Sequence, residues 1–233
     1  MKGNQPARAA LIIPAWNEEP SIGRVLAEVP RRLYRQILVV DNGSTDGTAA
    51  LARAGGATVV AEPRRGYGAG CLRGIQALEP SIEAVVFMDA DCSDVPAEAA
   101  TLLEPILDGR ADLVIGSRTL GRPEAGALLP HQRLGNRLAT TLIRLLWGRR
   151  YTDLGPFRAI RTSSLRRLGL SERGYGWTIE MQVQAIRKGL RVLEVPVSYR
   201  RRVGVSKISG RPGASLAAGC RILWTIFRLA AFR

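Results

Sequence analysis

Two carboxylates two residues apart, in Asp89-Ala90-Asp91, follow the apolar run AVVFM. In extended chain both side chains project to the same side, so Asp89 and Asp91 can hold one hard cation through oxygen, with Mg²⁺ or Mn²⁺ the expected ion. A divalent ion held there would be suited to neutralising the charge of a departing diphosphate, such as that of a nucleotide-sugar. The competing reading is a loop with two solvated acids. Asp41 heads DNGSTDGT at the end of another apolar run, where it can accept hydrogen bonds from a base or ribose, or simply close an Asx turn before a helix. Arg65-Gly66-Tyr67-Gly68-Ala69-Gly70 invites a dinucleotide-binding reading, but G-x-G-x-x-G fails at Cys71 and the loop does not open the first strand-helix turn. Gly66 and Gly68 are expected instead to lie against phosphates through backbone N–H groups.

These residues meet only if strands carry them to one edge of a sheet. The runs 9–15, 36–41, 57–61, 84–89 and 112–117 are apolar with polar residues at their ends, as in strands covered on both faces. Helical spacing separates them at 20–29, 46–54, 69–78 and 97–107, with Thr45 or Asp46 available as a cap. The alternation predicts an α/β fold with a doubly wound, mostly parallel sheet, whose ligands bind beyond the carboxyl ends of the strands. After Arg118 the pattern changes. A Pro- and Gly-rich loop precedes an amphipathic helix over 132–147, then FRAIR, a short helix at 163–168, a helix at 178–188 and a strand over 191–200. A basic loop over 198–211 leads to a final apolar-basic helix at about 214–232. The reading is one domain over 1–211, with 212–233 an amphipathic basic helix that joins the same domain or meets a membrane surface.

The 233 residues, 46% of them hydrophobic, suffice for one globular core. Lys and Arg number 34 against 20 Asp and Glu, a formal +14 that favours anionic partners: phosphorylated substrates, lipid headgroups or nucleic acid. Nucleic acid is not expected, because the arginines stand apart from the 6% of aromatics and the acids cluster at strand ends. Cys71, Cys92 and Cys220 form neither a disulfide framework nor a zinc motif, which fits a reducing cytoplasm. The N-terminus reads as a first strand rather than a signal peptide. Arg221 and Arg228 interrupt the last apolar segment below the ~18 residues that a membrane span needs.

In order and spacing, PAWNEE, VVDNGSTDGT, RRGYGAGCLRG, MDADCSD and GSR resemble the inverting family-2 glycosyltransferases of GT-A fold. The later segments Arg133-Leu134-Gly135-Asn136, FRAIR and Arg201-Arg202-Val203-Gly204-Val205-Ser206-Lys207 resemble the branch that makes polyprenyl- or dolichyl-phosphate sugars. The resemblance implies that Pro14, Trp16, Glu18 and Asp41 surround the nucleotide and that Asp89 and Asp91, flanking Ala90, hold the metal. It implies that Arg118 and Arg133 hold the acceptor phosphate, and that Arg201, Ser206 and Lys207 belong to a basic loop closing over the donor phosphates. The branch commonly has a Gln ligand two residues beyond the second Asp; Ser93 stands there in this chain.

The expected reaction is in-line transfer of a hexose, mannose or glucose, from GDP-mannose or a UDP-hexose to a polyprenyl phosphate. A phosphate acceptor is already anionic and needs no general base, which suits a chain whose one histidine, His131, reads as a loop or helix-start residue. A hydroxyl acceptor, the alternative, requires a carboxylate to take its proton, with Asp153 and Glu180 the candidates. The enzyme is expected in the cytoplasm, peripheral on the membrane's cytoplasmic face.

Overall fold

The computed structural model describes residues 8 to 204 and 212 to 231, the latter with side chains from residue 217 onward. Among the described residues seven strands form one sheet: β1 (Ala9–Ala15), β2 (Tyr34–Asp41), β3 (Thr58–Ala61), β4 (Ala84–Phe87), β5 (Leu113–Ser117), β6 (Arg158–Arg161) and β7 (Val192–Pro196). Their order is β3-β2-β1-β4-β6-β5-β7. All pairings are parallel except those of β6, which runs antiparallel to both β4 and β5. β1 lies between β2 and β4, the point where the winding reverses and a crevice opens at the strands' carboxyl ends.

The strands form where the apolar runs are. Leu11, Ile12 and Ile13 on β1 and Val85 and Val86 on β4 are fully buried, because helices cover both faces. One face packs α1 (Glu19–Glu28), α2 (Thr48–Ala54) and α4 (Ala99–Leu107) through Ile22, Ala52 and Leu102. The other packs α3 (Tyr67–Gln76), α5 (Pro130–Trp147), α6 (Thr162–Leu168), α7 (Trp177–Arg187) and α8 (Pro212–Ala231). Its core includes Cys71, Ile143, Leu165, Trp177 and Ile226.

Several boundaries differ from the sequence reading for local reasons. Asp46 stays outside α2 because its carboxylate accepts the Thr48 N–H, at 3.0 Å, in an Asx turn. The run 84–89 is strand only to Phe87, so the two acids beyond it lie in a bend rather than in extended chain. The run 191–200 ends as strand at Pro196, after which Tyr199 bridges Asp94 and Pro123. Helix α8 packs on the body of the domain with Ile226 and Leu229 inward, while Trp224 and Phe227 remain exposed. No helix among the described residues is long and apolar enough to cross a membrane.

Candidate active site

The ends of β1 and β2 are laced together. Asn17, with φ +50°, accepts the Thr45 N–H at 2.8 Å, while its own N–H donates to Ser44 Oγ at 2.9 Å. Glu18, nearly buried, donates its N–H to Thr48 Oγ1 at 2.8 Å. Asp41 accepts the Ser44 N–H at 3.0 Å and thereby shapes the turn; it does not line the adjoining cavity. Asn42 does. Its side chain donates to the carbonyls of Glu62 and Arg64 and accepts the Gly66 N–H at 2.8 Å, which brings Arg65 over the Trp16 ring at 4.2 Å.

A cavity of about 500 Å³ opens at this edge. Pro14, Trp16, Glu18, Gly66, Asp89, Ala90 and Asp91 of the expected set line it, joined by Ala15, Asn42, Arg65, Tyr67, Gly174, Tyr175 and Arg202. Asp91 is held in place: its Oδ1 accepts the N–H and hydroxyl of Ser93, and its Oδ2 lies 3.2 Å from Arg202 Nη2. The Ser93 hydroxyl is therefore bonded to a ligand candidate. Asp94, which the sequence reading passed over, is buried below; its Oδ2 accepts the Asp89 N–H at 3.1 Å and its Oδ1 has no hydrogen-bond partner among the described residues. Burial first, then the nearby Asp91 and Asp94, push the Asp89 carboxyl well above the usual carboxylate range. Burial likewise raises Asp94 to about 7, with Asp91 adding to the effect against the Asp89 hydrogen bond.

Three gathered carboxyls and a buried oxygen without a donor suit a hard divalent cation. Among the described residues no three His, Cys, Asp or Glu side chains are arranged to hold one alone, so further ligands have to come from water or a bound phosphate.

The glycine-rich loop does different work from that expected. Gly66 N–H is taken by Asn42, Gly68 N–H by the Gly174 carbonyl at 3.2 Å and Ala69 N–H by the Arg173 carbonyl at 2.9 Å. These N–H groups are thus engaged within the protein rather than free for phosphate. A Cβ on Gly66, whose φ is +140°, would collide with the Arg173 carbonyl oxygen, and one on Gly68 with that of Glu172. The glycines permit the 172–174 segment to close against α3.

A second cavity, of about 380 Å³, contains Arg118, Arg133, Asn136, Arg137 and Thr140. Arg118 grips Asp153 through two parallel bonds, Nε to Oδ2 at 2.8 Å and Nη2 to Oδ1 at 2.7 Å, and its backbone N–H adds a third. Burial opposes its charge, but Asp153 outweighs that and holds the guanidinium above its ordinary pKa. Arg158, buried within β6, donates to the Leu154 and Gly155 carbonyls and steadies the loop that presents Asp153. Arg118 also lies 5.0 Å from the Tyr199 ring, and its charge and that of Asp94 act on each other.

Neither carboxylate proposed as a base is free. Asp153 is fully engaged as described, and Glu180 accepts the N–H groups of Ser171 and Glu172 at 2.9 and 2.7 Å outside both cavities. His131 sits in the first turn of α5, outside both cavities. Arg201 does not line the first cavity: its backbone N–H donates to Glu124 Oε2 and its Nε to the Ala125 carbonyl. Its neighbour Arg202 enters the first cavity because the Arg200 and Val203 N–H groups bond the Ser93 and Asp91 carbonyls, each at 2.8 Å, and fix the strand-like alternation of side chains. Ser206 and Lys207 lie outside the described residues.

The family model described as glycosyl transferase family 2 matches residues 10–169. An uncharacterised glycosyltransferase of Mycobacterium tuberculosis is 40% identical over 212 residues, covering 89% of this chain and 93% of the relative. The polyprenol monophosphomannose synthase of Mycolicibacterium smegmatis is 36% identical over 223 residues, covering 87% and 82%. Among solved structures, the glucosyl-3-phosphoglycerate synthase of M. tuberculosis in complex with Mn²⁺, UDP-glucose and phosphoglyceric acid superposes with a TM-score of 0.76 at 26% identity, covering 97% of this chain and 80% of that one. The same enzyme has also been solved with Mg²⁺ and UDP.

Proposed function

This chain belongs to glycosyl transferase family 2 and is a glycosyltransferase of GT-A fold; from that premise we propose that it transfers a hexose from a nucleotide-diphosphate sugar to a polyprenyl phosphate, with inversion and with Mg²⁺ or Mn²⁺. The donor, GDP-mannose or a UDP-hexose, occupies the first cavity, with Pro14, Trp16, Glu18 and Asn42 around the nucleotide and Gly66 and Ala90 in the wall. Asp89 and Asp91 hold the cation, which supplies charge neutralisation to the leaving diphosphate. Arg202, in the basic segment that runs on to Ser206 and Lys207, carries the departing phosphates' remaining charge.

The observation that carries the acceptor reading is α5. Arg133 and Arg137 turn into the second cavity beside Arg118, while Leu134 (70% exposed), Leu138 (47%) and Leu145 (75%) stand out on the same helix. A ligand with a phosphate head and an apolar tail satisfies both sets of groups. With the phosphate oxygen already ionised, attack on the anomeric carbon needs no base, in keeping with the engagement of Asp153 by Arg118. Trp224 and Phe227 on α8, beside Arg221 and Arg228, extend the apolar and basic surface that a peripheral enzyme places on a membrane's cytoplasmic face.

A soluble phosphorylated acceptor is the second reading, supported by the phosphoglyceric acid in the solved neighbour. Competition decides between them. With Mn²⁺ and each donor in turn, a short prenyl phosphate and 3-phosphoglycerate are supplied together, and sugar is expected on the prenyl phosphate. Labelling of 3-phosphoglycerate alone overturns the lipid acceptor.

A further inference from the structure

We propose that α8 is a positioning element for the donor cavity and acts through Arg221 on Glu172, an inference that rests on the first cavity being the nucleotide-sugar site. No described residue of α8 lines either cavity. Gly174 and Tyr175, however, form part of the wall of the first, and they belong to the irregular segment between α6 and α7.

That segment is held from two sides. Toward α3, the Arg173 and Gly174 carbonyls accept the Ala69 and Gly68 N–H groups, with no room for a side chain on Gly66 or Gly68. Toward α8, the fully buried Glu172 carboxylate accepts three bonds at 2.9 Å: one from the Gly174 N–H, and two from Arg221 through Nε and Nη2. Glu180, buried beside it, accepts the Ser171 and Glu172 N–H groups and lies 3.4 Å from Arg228 Nη2. Thr225 packs so tightly on Gly176 that a Cβ there would collide with its hydroxyl.

Two neighbouring buried carboxylates are tolerated only when cations neutralise them, and both cations come from α8. Without Arg221, Glu172 loses its two-pronged anchor on α8 and keeps only Arg228, 3.8 Å from its Oε2, so the carboxylate that fixes the Gly174 N–H is free to shift. Gly174 and Tyr175 then lose their place in the cavity wall. Donor affinity and the seating of α8 are therefore linked, and the linkage runs in both directions.

The test uses the full chain with Mn²⁺–UDP and Mn²⁺–GDP as probes. Arg221→Ala is expected to raise the dissociation constant of whichever nucleotide binds by about tenfold, and to raise donor KM while kcat at saturating donor holds. Arg221→Lys keeps the charge without the two-pronged grip and restores part of the affinity. Arg35→Ala, which breaks an ion pair remote from both cavities, serves as the control and leaves binding unchanged. If Arg221→Ala fails to fold, amide exchange in the unaltered protein decides: saturating nucleotide slows exchange over 217–231 if the linkage holds. Nucleotide affinity unaltered in folded Arg221→Ala, or α8 exchange indifferent to nucleotide, overturns the proposal. Unaltered protein that binds neither nucleotide removes the donor reading of the cavity and this inference with it.

Discussion

Arg202 Nη2 lies 3.2 Å from Asp91 Oδ2 and 3.7 Å from Glu18 Oε1, so an arginine stands beside one of the two carboxylates proposed to hold a cation. Guanidinium and divalent ion compete for the same oxygens. The pair is partly solvent-exposed and worth up to about 1 kcal/mol, so Arg202→Ala should tighten Mn²⁺ binding to the nucleotide-free protein by up to roughly fivefold. The same substitution should slow transfer, because the donor diphosphate loses a forked donor. Titration followed by the Mn²⁺ paramagnetic resonance signal checks the first effect; equal affinity in both proteins would show that Arg202 does not compete.

Asp94 gives the metal-free protein a particular pH dependence. Its folded pKa of about 7 lies above the ordinary 3.8, so between those values the folded state binds the proton that the unfolded state has released. Stability from this group is therefore complete below about pH 4, falls as pH rises toward 7 and is level above it, a loss of at most roughly 4 kcal/mol. Asp94→Asn keeps an oxygen to accept the Asp89 N–H but cannot ionise. Denaturant melts at pH 5 and pH 8 should show the variant gaining on the parent at the higher pH. A constant difference across that range contradicts the assignment.

Asp153 is expected to matter as the partner of Arg118 rather than as a base. Its side chain is 1% exposed, and removing one member of a buried pair typically costs 3–5 kcal/mol. Asp153→Asn should lower stability by about 3 kcal/mol and raise acceptor KM through a displaced Arg118, with the shape of the kcat–pH profile retained. Loss of the acidic limb of that profile in a fully stable variant would instead assign Asp153 to proton transfer.

Gly66→Ala tests the reassigned role of the glycine-rich loop. With φ at +140° and the Arg173 carbonyl in the way, the methyl group strains both the backbone and the 172–174 contact. Destabilisation of about 1–3 kcal/mol accompanied by weaker nucleotide binding is expected in thermal unfolding and titration. Weaker binding without any loss of stability would favour direct phosphate contact by the loop.

Much of this architecture is legible because fully buried strands leave an unmistakable apolar imprint. β1, β2 and β4 read directly from their runs, and the motifs PAW, DNGSTDGT and DAD end at one edge because parallel strands share a direction. The antiparallel β6 is not legible as such: four residues, one of them the buried Arg158, carry no signal of direction. The sequence does not separate Arg202 from Arg201, because neighbours in near-extended chain face opposite ways and only the bonds from Arg200 and Val203 to the Asp91 loop fix which one enters the first cavity. Asp94 sits just beyond the D-x-D pattern, and its proximity to Asp89 follows from the bend after β4. Gly174 and Tyr175 have no motif because backbone carbonyls and a distant arginine hold their segment. A buried acid such as Glu172 could have served as the signal had its burial been readable from sequence.

Transfer itself is the most direct test. The protein, Mn²⁺ or Mg²⁺, a short prenyl phosphate and either GDP-mannose or UDP-glucose are incubated together, and the anomeric configuration of the product is read by NMR. The expected result is a prenyl-phosphate-linked hexose of configuration opposite to the donor's, formed by the parent protein and abolished in Asp91→Asn. A product of retained configuration, or one formed equally well by Asp91→Asn or without divalent metal, would contradict metal-dependent inverting transfer at this site.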